Sequence, residues 1–268
     1  MVKKILSRFY VVLILLLMYA PILTLIIYSF TDADNIGAWN GFSFALYKQM
    51  FASDAIKEAL FNTLLIALAS SICSTILGTL GAIGIFYSKG RYRNMMTSLN
   101  QVPVMNAEIV IAISLTLLFV FFGIEFNFVT LLIGHMVITI PFVVLSVLPK
   151  LRQLDPNTYE AALDLGATPH RALWTVIVPE ILPGIFSGFL LCITLSLDDY
   201  IITAFTRNDS FNTLSTYIYG VTAKHPLPPA LRALTTLITI FMLIVLLIIN
   251  YRSKKQAKLN SQKKGIKH

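Results

Sequence analysis

The chain of 268 residues is 56% hydrophobic and only 13% charged, where a soluble globular domain carries roughly 25% charged residues. No single core needs apolar runs as long as those below, so the surplus faces lipid and an ordinary soluble enzyme is excluded. The net charge of +8 would point to nucleic acid in a soluble protein, but in a membrane protein it records orientation, and no nucleic-acid partner is expected.

Taken in chain order, the runs poor in charge predict an all-α polytopic membrane protein: one transmembrane domain over 1–268 with six helices at about 9–30, 60–87, 104–123, 127–148, 181–206 and 232–251. At about 1.5 Å per residue each can cross a hydrocarbon core of about 30 Å. Lys3, Lys4 and Arg8 before the first run resemble a signal-peptide leader, but the run exceeds the usual h-region and Pro21 makes a poor cleavage site, so an uncleaved span is expected. The second run carries Ser70, Ser74, Gly78 and Ala82 at a spacing of four, with Gly81 and Gly84 nearby, a small-residue face for close helix packing. Glu108 breaks the third run, His135 sits in the fourth, and Asp198 and Asp199 interrupt the fifth. His135 reads as a packing histidine with satisfied nitrogens. Cys73 and Cys192 both fall within apolar runs and read as small buried hydrophobes.

Basic residues fix the orientation. With both termini cytoplasmic, 16 of the 21 Lys and Arg residues lie inside, and only Lys48, Lys57, Arg207, Lys224 and Arg232 remain outside. The basic tail after Tyr251 then reads as a solvated segment beside anionic lipid.

The cytoplasmic loop at 150–180 is longer than a connection needs and is helical in pattern. Asp155-Pro156 is an N-cap followed by proline at the first helical position, and good helix formers run from Tyr159 up to Gly166, which can end the helix in the left-handed conformation. Thr168-Pro169 repeats the start signal, and Pro179 and Pro183 are expected to break the second short helix from the fifth span. Two short helices thus meet at a glycine corner. The competing reading is an amphipathic loop lying on the membrane surface.

This loop resembles the EAA motif of ABC importer permeases: Glu-Ala-Ala, three residues, Gly, nine residues, then Ile-x-Leu-Pro. Glu160, Ala161, Ala162, Gly166 and Pro179 fall on the pattern, with Val176 and Val178 in place of Ile and Leu. Within that superfamily the segments 141–144, 160–167 and 194–199 look like those of the PotC-type permeases of spermidine/putrescine importers. The stretch 108–115 is similar too, with Glu108 where that family carries Asp. The resemblance implies a type I ABC importer permease fold and an ATPase-coupling role for the five motif residues. It also implies a paralogous PotB-like permease, two copies of a PotA-like ABC ATPase that bind ATP and Mg, and an extracellular or lipid-anchored PotD-like binding protein, all at a bacterial cytoplasmic membrane.

The intramembrane acids stand out on physical grounds alone. A carboxylate at membrane depth costs a few kcal/mol, so Glu108, Asp198 and Asp199 are candidates for a substrate path, one suited to a cationic cargo such as a polyamine. Adjacent helical residues point about 100° apart, so the two aspartates cannot face the same spot. One of them is open to a structural role, as a cap on an unwound turn or as a partner of Arg232, and Glu108 is open to snorkelling. No phosphate-cradling loop, nucleophile with base, or Cys/His cluster is visible, so no catalytic residue, metal site or cofactor of the chain's own is expected and ATP hydrolysis is assigned to a partner. The alternatives are an ABC importer of another small cargo, such as an iron chelate or a phosphonate, and an ATP-independent channel or proton-coupled carrier.

Overall fold

The computed structural model describes residues 2–33, 37–223, 228–240 and 243, with the side chains of 2–8 and Pro156 outside that set. The described residues are helical without a strand, and they divide into two compact units, residues 1–56 with 220–268, and residues 57–219.

The first unit holds α1 (Val2–Tyr28), α2 (Ala45–Ala52) and α12 (Pro229–Ile240). From Phe9 through Pro21 every side chain of α1 is exposed, so this apolar stretch is left to lipid or a partner. The loop after α1 is pinned by an aromatic cluster, with Phe30 stacked on Phe42 at 5.5 Å and beside Tyr47 at 5.4 Å. The fully buried Arg232 donates from Nη1 to the Ala33 carbonyl at 2.9 Å. The sixth expected span, 232–251, coincides with α12 up to Ile240; beyond that, residue 243 apart, it lies outside the described residues, as does the basic tail.

The second unit is built around α6 (Phe128–Gln153), whose Asn127 accepts from the backbone N–H of Val129 at 2.7 Å and Thr130 at 3.2 Å, while Thr130 Oγ1 accepts from Asn127 N at 2.8 Å. Two helices approach α6 closely because they carry glycine where they meet it. In α3 (Asp54–Tyr87) a Cβ on Gly78 would stand 2.6 Å from Val143 Cβ. In α9 (Val178–Asp198) a Cβ on Gly184 would meet Lys150 Cγ at 2.8 Å, and one on Gly188 would meet Val143 Cα at 3.1 Å. Val143 is therefore gripped from both sides and is fully buried. The small face expected on the second span is a packing face, with Ser70, Ser74 and Ala82 all fully buried.

Three expectations change. The third span does not begin at 104: α4 (Gly90–Met105) and α5 (Glu108–Phe121) meet at a bend of 105°, so α4 turns a segment expected as a cytoplasmic loop into a helix with no buried residue. Pro103 in the last turn of α4, followed by extended Asn106 and Ala107, accounts for the corner. Secondly, Pro179 and Pro183 break nothing. The helix runs without interruption from Pro169 to Asp198, through α8 (Pro169–Ala172), a π-helical turn (Leu173–Ile177) and α9. A proline ring clashes with the carbonyl four residues back, which for Pro179 is Thr175, and the wider π turn there relieves that clash. Thirdly, the fifth span ends at Asp198, and a separate short helix, α10 (Ile201–Thr206), follows after extended Asp199. Four described helices are long and apolar enough to cross a membrane, five if α4 and α5 count as one broken span.

Candidate coupling loop and cargo path

The loop helix α7 (Pro156–Asp164) starts as its residues dictate, with the Asp155 carboxylate accepting from Asn157 N at 3.0 Å. It ends in a Schellman motif: Ala167 N donates to Ala162 O at 3.1 Å and Gly166 N to Leu163 O at 2.8 Å. Gly166 adopts φ +85° with nothing within 4 Å of where a Cβ would lie, so glycine is needed there for backbone freedom. Thr168 Oγ1 then accepts from Arg171 N at 3.4 Å and opens α8. Glu160, Ala161, Gly166 and Pro179 are exposed and Ala162 is half-buried. Glu160 makes no hydrogen bond or ion pair among the described residues. The opposite face of α7 is anchored, with Tyr159 packed on Tyr87 of α3 at 5.6 Å. Glu160, Ala161, Ala162 and Gly166 thus lie together on one corner, whereas Pro179 lies farther along, in the first turn of α9.

Two exposed side chains on this corner escaped the sequence reading. Leu165 is 90% exposed and Trp174, whose Nε1 donates to His170 Nε2 at 3.0 Å, is 51% exposed. The signal was available: a leucine immediately before the helix-ending glycine has no neighbour to cover it.

At the far end of α9 the structure separates the two aspartates. Asp199 is buried, and its carboxylate caps α10, accepting from Ile202 N at 3.1 Å, Thr203 N at 2.8 Å and Thr203 Oγ1 at 2.7 Å. Asp198 is exposed and makes no hydrogen bond or ion pair among the described residues. Glu108 is exposed at the first position of α5, where the helix dipole favours a carboxylate, and lies within electrostatic reach of Asp199 and Asp198. The three acids are therefore near one another, but they differ in kind.

The break between α9 and α10 is stabilised by partners for both ends of the short helix α10. Asp199 takes the first N–H groups of α10, while Thr116 Oγ1 donates to Phe205 O and Thr130 Oγ1 to Thr206 O, each at 2.9 Å. Gly134 gives Ile202 room, since a Cβ there would stand 2.7 Å from Ile202 Cγ2.

His135 ties this break to the bundle. It is fully buried, with Nδ1 2.7 Å from Ser196 Oγ, Nε2 3.0 Å from Thr203 Oγ1 and 3.6 Å from Asp199 Oδ2. Thr203 spends its one proton on Asp199, so it accepts from His135, and Nε2 carries hydrogen. Ser196 Oγ also accepts from Ser70 Oγ at 3.1 Å, so the buried ring joins α6 to α3, α9 and α10 through hydroxyl groups. No group of three metal-ligating side chains occurs among the described residues.

A family model described as binding-protein-dependent transport system inner membrane component matches residues 74–255. The spermidine/putrescine transport system permease protein PotC of Escherichia coli (strain K12) is 30% identical over 261 residues, covering 97% of this chain and 98% of that protein. The putrescine transport system permease protein PotI of the same strain is 33% identical over 229 residues, covering 82% and 81%. A bacterial ABC transporter that imports the acidic polysaccharide alginate superposes with a TM-score of 0.71 over 94% of this chain and 96% of that one, at 16% identity, a likeness of fold alone.

Proposed function

Since the chain belongs to the binding-protein-dependent transport system inner membrane component family and is a multi-pass protein of the bacterial inner membrane, we propose that it forms half of the translocation path of an ATP-driven polyamine importer. The observation that carries this is one helix, 30 residues from Pro169 to Asp198, with the exposed motif corner at its start and, at its end, an exposed carboxylate that is unpaired among the described residues. At about 1.5 Å per residue it spans roughly 45 Å. A push on the corner is delivered to Asp198 without a joint between.

In this reading a PotA-like ATPase, one of two copies that bind ATP and Mg, receives Glu160, Ala161, Ala162 and Gly166, and Leu165 adds an apolar plug. Pro179 and the π turn carry the motion into α9. Asp198 and Glu108 offer charge to the cargo, whereas Asp199 holds the break that presents Asp198. A paralogous PotB-like permease supplies the other half of the path, and a PotD-like binding protein delivers the cargo. Both termini are cytoplasmic. Hydrolysis belongs to the ATPase, and the chain brings no catalytic group. The names of PotC and PotI, and acids without a Lys or Arg in the path-lining helices α5 and α9, support a polyamine over an anion.

The test is uptake of labelled spermidine and putrescine by the reconstituted complex. ATP-dependent uptake suppressed by excess unlabelled polyamine is expected. Uptake without the ATPase subunits would establish a channel or carrier instead, and uptake unaffected by polyamines would leave another cargo.

A further inference from the structure

Tyr200 and Tyr219 form a ring pair that the coupling and capping geometry does not use. Their centroids are 4.0 Å apart with planes inclined by 16°, closer and more parallel than the 4.5–7 Å offset or edge-to-face arrangements that aromatic pairs prefer. The backbones that carry the two rings are tied together beside them. Tyr200 sits in the break between α9 and α10, directly after Asp199 and two residues after exposed Asp198. Tyr219 belongs to α11 (Leu214–Thr222). Four residues before it on the same helix face, Ser215 Oγ donates to the Asp199 carbonyl at 2.6 Å. The Ser215 bond and the ring stack thus clamp one turn of α11 onto the break, and Tyr219 remains 57% exposed. Two parallel rings put their negative faces together, and a cation over the outer face is attracted by both quadrupoles.

The geometry points to the Tyr200–Tyr219 stack as the seat for one alkylammonium group of the cargo, with Asp198 as its counter-charge. This rests on the polyamine reading above and deepens it by naming residues that neither the motif nor the acids reveal. A polyamine is a chain of methylenes between ammonium groups. An aromatic face accommodates the methylenes and the charge together, while a carboxylate alone rewards only the charge. The seat discriminates against anions and against neutral solutes of similar size.

The experiment uses the full reconstituted complex at saturating cargo-loaded binding protein, with radiolabelled spermidine and putrescine, and reads cargo transported per ATP hydrolysed. Tyr219→Leu is expected to lower that ratio about tenfold, Tyr219→Phe to keep it within about twofold, and singly to triply fluorinated phenylalanine at 219 to lower it stepwise. The binding-protein concentration for half-maximal ATP hydrolysis stays unchanged. An unaltered ratio in Tyr219→Leu, a uniform loss across the phenylalanine series, or a loss accompanied by weaker binding-protein stimulation, which would place Tyr219 on the docking face, each overturns the seat alone. Absence of polyamine uptake by the unmodified complex overturns the polyamine reading and the seat with it.

Discussion

Two adjacent aspartates show how little a residue's identity says without its surroundings. Asp199 is buried and committed to Ile202 and Thr203, with three of its roughly four acceptor sites occupied in capping α10. Asp198 is exposed and unpaired among the described residues. The isosteric Asp199→Asn substitution sets an amide where two backbone N–H groups and a hydroxyl now donate, at a cost of about 1–3 kcal/mol for the lost charge-assisted bonds. It should lower the melting temperature of the purified complex. Asp198→Asn should leave melting unchanged and reduce polyamine uptake at least severalfold. The same two measurements falling the other way would reverse the assignment. At Gly166 the argument is backbone strain alone: Gly166→Ala meets no atom but places a Cβ at φ +85°, costing about 1–2 kcal/mol. The complex should assemble, with uptake reduced because the corner no longer presents Glu160 at its native angle.

At the scale of elements, glycine placement decides how closely α3 and α9 approach α6. Gly188→Ala forces a Cβ to 3.1 Å from Val143 Cα, a backbone neighbour that cannot swing away, whereas Gly84→Ala meets nothing within 4 Å. The first should reduce the fraction of protein surviving a thermal challenge in detergent. The second should match or exceed the unmodified protein, since alanine improves helix propensity by about 1 kcal/mol. These pairings also mark the limit of what one sequence discloses. The caps at Asp155 and Thr168, the glycine corner and the small face of α3 were legible because each is decided within a turn or two of chain. Gly184 and Gly188 form an equally regular small-residue pair, yet their partners on α6 are more than thirty positions away, and no local pattern names them. The bend after Met105 and the π turn before Pro179 were hidden for a related reason. Proline is a local signal, but whether a helix breaks, bends or widens around it depends on where the neighbouring carbonyls go. For His135 only the outcome, a satisfied histidine, could be anticipated. The bonds with Ser196 and Thr203 that hold the break exist only once α6, α9 and α10 are together.

For the whole molecule the question is whether ATP-driven motion reaches the path through the Pro169–Asp198 helix or through diffuse movement of the bundle. A stiff lever transmits only while its backbone resists bending. The weakest segment of this one is the π turn, where the exposed Trp174 and Thr175 contribute least to packing. Replacing both by glycine removes two side chains and also loosens the helix by about 1 kcal/mol per position relative to alanine. The double substitution Trp174→Ala with Thr175→Ala removes nearly the same side-chain atoms and keeps the helix stiff, so a difference between the two variants reports backbone compliance alone. The expected outcome in the reconstituted complex is ATP hydrolysis at similar rates in both, with cargo moved per ATP severalfold lower in the glycine variant than in the alanine variant. Equal cargo per ATP in the two would show that the helix is not the lever, and if both fall equally below the unmodified complex the loss belongs to the side chain of Trp174, on the same exposed corner as Leu165.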